Sequence, residues 1–214
     1  MKELVHIIVF SLIGCIAAHS QTQYETGMKN AFELWDNGQS MEAANLFERI
    51  GQAEPDSWLP YYYASEIKII DSFDMQDAVK KEQQLKEAQE LLNKAKALAG
   101  PENVELMVLQ AMLHTGYITL DPSTYGMKLS PVITNIYDTA AAKAPDNPRV
   151  ALSRTEWNMG SAQFFGEDPA KYCPDLQKAL LLFEQEKPEQ AFAPDWGKSR
   201  TEMLIAKTCG ENKN

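Results

Sequence analysis

The groups in this chain that could do chemistry are aromatic rings, carboxylates and a few arginines, and they fall into three sets. Trp58, Tyr61, Tyr62 and Tyr63 crowd one short stretch. Such rings stack on peptides and sugars and offer a polar tip. Tyr117, Asp121 and Tyr125, with Phe164 and Phe165 further on, combine aromatic faces with acid. Arg154 and Trp157, close to Arg149, have the composition of a carboxylate grip, because a guanidinium binds a carboxylate through paired hydrogen bonds. Each set has a structural alternative. Tyr63 can pack inward while its neighbours shield a junction. Phe164 and Phe165 can form a satellite core, with Asp121 capping a turn. The arginines can pair with the protein's own acids.

Catalytic signatures are missing. After the first twenty residues the chain holds a single histidine, His114, and two cysteines far apart in sequence. That is neither a His-rich metal site nor a zinc pattern. No G-x-S-x-G, H-E-x-x-H, G-x-G-x-x-G or P-loop occurs. The expectation is no catalytic residue, no metal and no cofactor. Net charge is −10 over 214 residues. Nucleic acid rewards clustered positive charge, so it is excluded as a partner. The acidity reads as solubility. A 44% hydrophobic content suffices for one continuous core.

Residues 1–20 read as a cleaved signal peptide. Met1-Lys2 opens a short charged region, an apolar run follows over 4–18, and Ala18-His19-Ser20 supplies the small residues that signal peptidase requires before Gln21. The alternative is Leu12-Ile13-Gly14-Cys15, which resembles a lipobox and would anchor the protein through a lipidated Cys15. Either way the body lies outside the cytoplasm, periplasmic or secreted, and meets a membrane only through the signal or that anchor. No other segment is long and apolar enough to span a bilayer.

The elements that must position the three sets are helices. In 24–55, Ala31 is followed by Leu34, Gly38 makes a turn, Ala43, Phe47 and Ile50 share one face of a second helix, and Pro55 closes the unit. This stretch resembles a tetratricopeptide repeat (TPR), a helix pair of about 34 residues that stacks into a solenoid. Further units follow at about 57–101, 103–146 and 147–187, after a first at about 24–56. Ala64 and Ile67 precede Ala88, Leu92 and Ala95. Ala111 precedes Ile133, Tyr137 and Ala140, in a second helix expected to start at Ser130-Pro131. Leu152, Thr155 and Met159 precede Ala179, Leu180 and Phe183, in a helix expected to start near Pro174. A last helix, about 195–209 within the terminal region 191–214, caps the stack. The resemblance implies an all-α, right-handed TPR-like solenoid of about four helix pairs plus a C-terminal capping helix, over residues 21–190.

The later units depart from the first in the same place. Ala31 and Ala43 are 12 positions apart, whereas Ala64 to Ala88 spans 24, Ala111 to Ile133 spans 22 and Thr155 to Ala179 spans 24. The 77–89 stretch is rich in helix formers and reads as extra helix. The stretches 116–130 and 164–173 read as structured loops, and resemble the long inter-helix loops of small secreted TPR proteins of bacterial envelopes. In a TPR stack such insertions share one rim. That rim, with Tyr117, Asp121, Tyr125, Phe164 and Phe165, is the first candidate surface. The inner face lined by first helices, with Trp58, Tyr61, Tyr62, Arg154 and Trp157, is the second.

Cys173 opens the last unit's second helix and Cys209 ends the terminal helix. Antiparallel packing of those helices brings the two together, and an oxidising compartment favours a disulfide. The alternative is two free thiols. The function expected is a non-catalytic scaffold binding a protein or peptide partner. A glycan-binding protein or enzyme on a helical solenoid, or a lipoprotein subunit held at Cys15, is the alternative.

Overall fold

A computed structural model describes residues 22–188 and 190–210. The signal peptide and the Cys15 lipobox lie outside the described residues. Within them the secondary structure is entirely helical, and no strand occurs. Helix α1 covers 22–36. It is followed by α2 (Ser40–Ala53), α3 (Leu59–Asp74), α4 (Ala78–Ala99), α5 (Val104–Leu120), α6 (Pro122–Lys143), α7 (Pro148–Phe164), a 3-10 turn (Pro169–Tyr172), α8 (Cys173–Gln185) and α9 (Lys198–Cys209). No described helix is long and apolar enough to cross a membrane.

Short polar side chains start several of these helices. Asp77 accepts hydrogen bonds from the Val79 and Lys80 N–H groups, Asn103 from those of Glu105 and Leu106, and Asn147 from that of Val150. Each satisfies donors that a helix N-terminus leaves free. Proline occupies the first turn of α3, α6, α7 and α8, where no intrahelical partner is lost.

Two expectations fail in the third pair. The second helix does not start at Ser130-Pro131, and 116–130 is not a loop. α5 continues to Leu120, and α6 starts at Pro122 and runs through Pro131. Asp121 is the reason. Its carboxylate accepts from the Ser123 and Thr124 backbone N–H groups, a stronger cap than Ser130 offers, and Pro122 follows it at the first helical position. Pro131 removes one ladder bond on an exposed face of a long helix, which tolerates it. The extra residues of this pair are therefore helix on both sides of a tight turn.

Packing is between chain neighbours and between alternate helices. Every helix from α2 to α9 packs on the next, α8 and α9 included although 186–197 separates them in sequence. In addition α3 packs on α5 and α5 on α7. The core comes in three consecutive clusters. Met28, Ala31, Phe47, Tyr62, Leu92 and Leu109 belong to the first, Ala111, Ile133, Tyr137 and Val150 to the second, and Leu152, Leu176, Phe183 and Leu204 to the third. Small residues fall where helices approach most closely. Gly51 is one: a Cβ there would lie 2.7 Å from the Tyr61 ring. Cys173 and Cys209 form a disulfide with Cα atoms 5.8 Å apart, joining the start of α8 to the end of α9. Closing a loop of that length contributes about 4 kcal/mol in the chain-entropy description.

Candidate functional site

The inner face has an occupant that no sequence pattern announced. After α8 the chain does not turn directly into α9. Residues 190–197 run back across the first helices, and α9 starts at Lys198 rather than near Asp195. Phe192 reaches α1 and α3: its ring stacks on Phe32 at 6.1 Å and meets Tyr24 edge-on at 5.9 Å. The Tyr63 hydroxyl donates to the Phe192 carbonyl at 2.9 Å. Pro194 is buried. The Trp196 indole N–H donates to the Tyr62 hydroxyl at 2.7 Å, and the Trp196 ring packs on both the second and third core clusters. One short segment thus ties the two ends of the molecule together. Gly197 turns the chain out of it at φ 110°, where a Cβ would strike Phe183 at 2.6 Å.

This cover explains α3. Residues Leu59 to Ile69 are buried without a break, on every side of the helix. A helix that is apolar and aromatic all round is an interior helix. Tyr61 lies against Gly51, and Tyr62 is 0% exposed. As the chain stands, neither Tyr61 nor Tyr62 offers a ring to solvent, which corrects the expectation that they line an open groove. Trp58 is half-buried, edge-on to Tyr62 at 5.6 Å. It lines an open cleft of about 950 Å3, together with Glu105, Arg149, Glu186 and Pro194.

Beneath 190–197 sits a charged cluster. Arg149 is buried, donating from Nε to Glu105 at 2.9 Å and from its terminal nitrogens to Glu186. Burial alone would lower its pKa, but the hydrogen bonds to Glu186 and Glu105 outweigh it and keep the guanidinium charged. Asn147 donates to the other Glu105 oxygen at 2.7 Å. Glu66, one turn along α3 from Tyr62 and Tyr63, is 1% exposed, and its Oε2 has no hydrogen-bond partner among the described residues. Burial, and then the charge of Glu105, push its carboxyl well above the usual range. Arg149 opposes that shift and Asp195 adds to it. Burial thus favours the neutral form of Glu66.

The other arginine candidate is committed elsewhere. Arg154 pairs with Asp138 on α6 at 2.7 Å, and Trp157 donates to Thr134 at 3.0 Å. Both contacts tie α7 to α6, so Arg154 is not an unclaimed carboxylate grip.

The turns between paired helices carry the remaining candidates. At the α5–α6 turn the Tyr117 and Tyr125 rings lie 5.3 Å apart, both half-buried. Asp121 between them is the α6 cap, and hydrogen bonds from Ser123 and Thr124 hold its pKa down at about 2. At the α7–α8 turn Phe164 and Phe165 are 82% and 75% exposed, with rings edge-on at 5.2 Å. They pack on each other and not on a satellite core. His114 is half-buried beside Gln110, and burial, with Lys96 nearby, lowers its pKa. Among the described residues no group of three or more His, Cys, Asp or Glu is placed to hold a metal ion.

No family model matches the sequence. A comparison with curated proteins likewise finds no match. Among solved structures, the HusA haemophore from Porphyromonas gingivalis is similar in fold. The TM-score is 0.75 with 22% sequence identity, covering 89% of this chain and 95% of that one. The two chains share an all-helical architecture over nearly their whole lengths.

Proposed function

We propose that this chain is a non-catalytic binding protein of the bacterial envelope, periplasmic or secreted, built as a right-handed TPR-like solenoid of about four helix pairs capped by α9. Support for the solenoid comes from the packing of α3 on α5 and α5 on α7, the alternate-helix stacking that repeat pairs use. The observation that carries the binding role is the Phe164–Phe165 pair. Two adjacent, exposed phenylalanines on a turn lose free energy in water and regain it against a partner. The partner in this reading is a protein or peptide. A pull-down from detergent-solubilised envelopes tests it, with the Phe164→Ser/Phe165→Ser variant as control. A stoichiometric protein retained by the native chain and lost by the variant supports the reading, and retention of none sinks it.

A second reading is favoured by the likeness to a haemophore: the cargo is haem. The half-buried Tyr117 and Tyr125, whose rings are tilted 50° to each other, and the exposed Met127 two positions on, supply aromatic faces and donors of the kind that hold haem iron. Titration with haemin separates the readings. A shifted Soret band at one equivalent, weakened by Tyr117→Phe/Tyr125→Phe, supports haem. An unshifted band removes it. Mass spectrometry of the mature N-terminus tells a chain starting at Gln21 from one lipidated at Cys15.

A further inference from the structure

We infer that the inner face is a peptide-binding groove whose resident ligand is the chain's own segment 190–197. The partner segment that replaces it carries two aromatic residues about a proline. The inference rests on the partner being a peptide, not on the rim as its site. Its test uses an isolated peptide, so a failed envelope pull-down and a failed groove stay distinguishable.

The segment is held as a ligand is held. Its contacts are one aromatic ring lodged against Tyr24 and Phe32, one backbone carbonyl that accepts from the Tyr63 hydroxyl, one buried proline and one indole N–H that donates to the Tyr62 hydroxyl. Recognition of both main chain and side chains along one short segment is the pattern of a peptide in a groove. The open cleft at Trp58 and Arg149 adjoins the buried Pro194 and lets a longer peptide run on.

Two features show that the resident segment fits its groove imperfectly. Phe192 sits at φ 60°, a left-handed conformation that a bulky side chain adopts only under constraint. Glu66, on the same helix as Tyr62 and Tyr63, has a buried side-chain oxygen with no hydrogen-bond partner among the described residues. A buried polar atom left unpaired is costly, so an occupant that offers it a partner gains over the native segment. Exchange does not require unfolding, because α8 and α9 pack together and the Cys173–Cys209 disulfide secures them while 190–197 lifts between.

The experiment uses the full oxidised chain and a fluorescein-labelled synthetic peptide with the sequence of residues 190–197. Anisotropy is measured against the native protein and against Phe192→Ala/Trp196→Ala, whose own segment has lost both anchors. The variant is expected to bind about tenfold or more tighter than the native chain, because a self-occupied groove reduces apparent affinity by its open fraction. Adding Tyr63→Phe to that variant should weaken binding about threefold to tenfold. A folded double variant that binds no better than the native chain overturns the proposal. Should the double variant not fold, hydrogen exchange on the native chain decides. Amides of 190–197 opening well before those of α3 support displacement, whereas protection equal to α3 shows a fixed core element and overturns it.

Discussion

Tyr62 and Phe164 are both aromatic residues on helices that lead a pair, and one is 0% exposed while the other is 82% exposed. The difference is not one of residue type or local pattern. It lies in whether the chain brings a cover. Segment 190–197 returns over α1 and α3 and seals the inner face, whereas nothing described returns over the α7–α8 turn. Aromatic rings on the inner face therefore contribute to stability, and those at the turn are left for something outside the molecule.

That contrast is sharpest in mutational cost. Tyr62→Ala removes a fully buried ring and the hydroxyl that accepts from Trp196, and should destabilise by about 3–5 kcal/mol in urea titrations. Arg149→Ala should cost a similar amount, about 3–5 kcal/mol, because Glu105 and Glu186 would keep their charges without a partner. If both substitutions shift the midpoint no more than a surface change, the inner face is not sealed. Cys173→Ser/Cys209→Ser comes next, at about 2–4 kcal/mol. Its loss should fall in the α8–α9 region, seen as faster hydrogen exchange there than in α2.

Glu66 gives the inner face a pH signature. Its carboxyl titrates above the ordinary 4.5 when folded. Between those two values the unfolded chain has released its proton and the folded chain has not, so stability falls as pH rises through that window. Glu66→Gln carries no proton to lose. Its stability relative to the native chain should climb as pH rises from 4.5, with the gap smallest at more acid pH. A gap independent of pH would mean that Glu66 is ionised in the fold.

How much of this was legible depended on how far apart in sequence the partners lie. Ala31, Ala43 and Phe47 are buried as the first unit's spacing requires, and Ile133, Tyr137 and Ala140 keep their stripe. These are local periodicities, set by 3.6 residues per turn. The start of α6 is ambiguous in the sequence because two cap-like pairs, Asp121-Pro122 and Ser130-Pro131, compete. The choice depends on how many N–H groups each side chain satisfies, and the Asp121 carboxylate satisfies two. The inner-face cover was not legible, because Tyr63 meets Phe192 across 129 positions and Tyr62 meets Trp196 across 134. No period reports a contact of that range. The one available signal was indirect. Trp58 to Ile70 has no polar face wide enough for a half-exposed helix, and something had to cover it.

The smallest stability effect belongs to the turn. Phe164→Ser/Phe165→Ser removes two rings that touch chiefly each other, so unfolding free energy should change by no more than about 0.5 kcal/mol. Exposed phenylalanines add little to a fold and promote association, so the variant should also be less prone to self-association at high concentration. Any loss of partner binding by this variant is then a loss of contact, not of structure. A destabilisation of several kcal/mol would mean instead that the pair is a core element. The sealed inner face and the open turn would then no longer differ in kind.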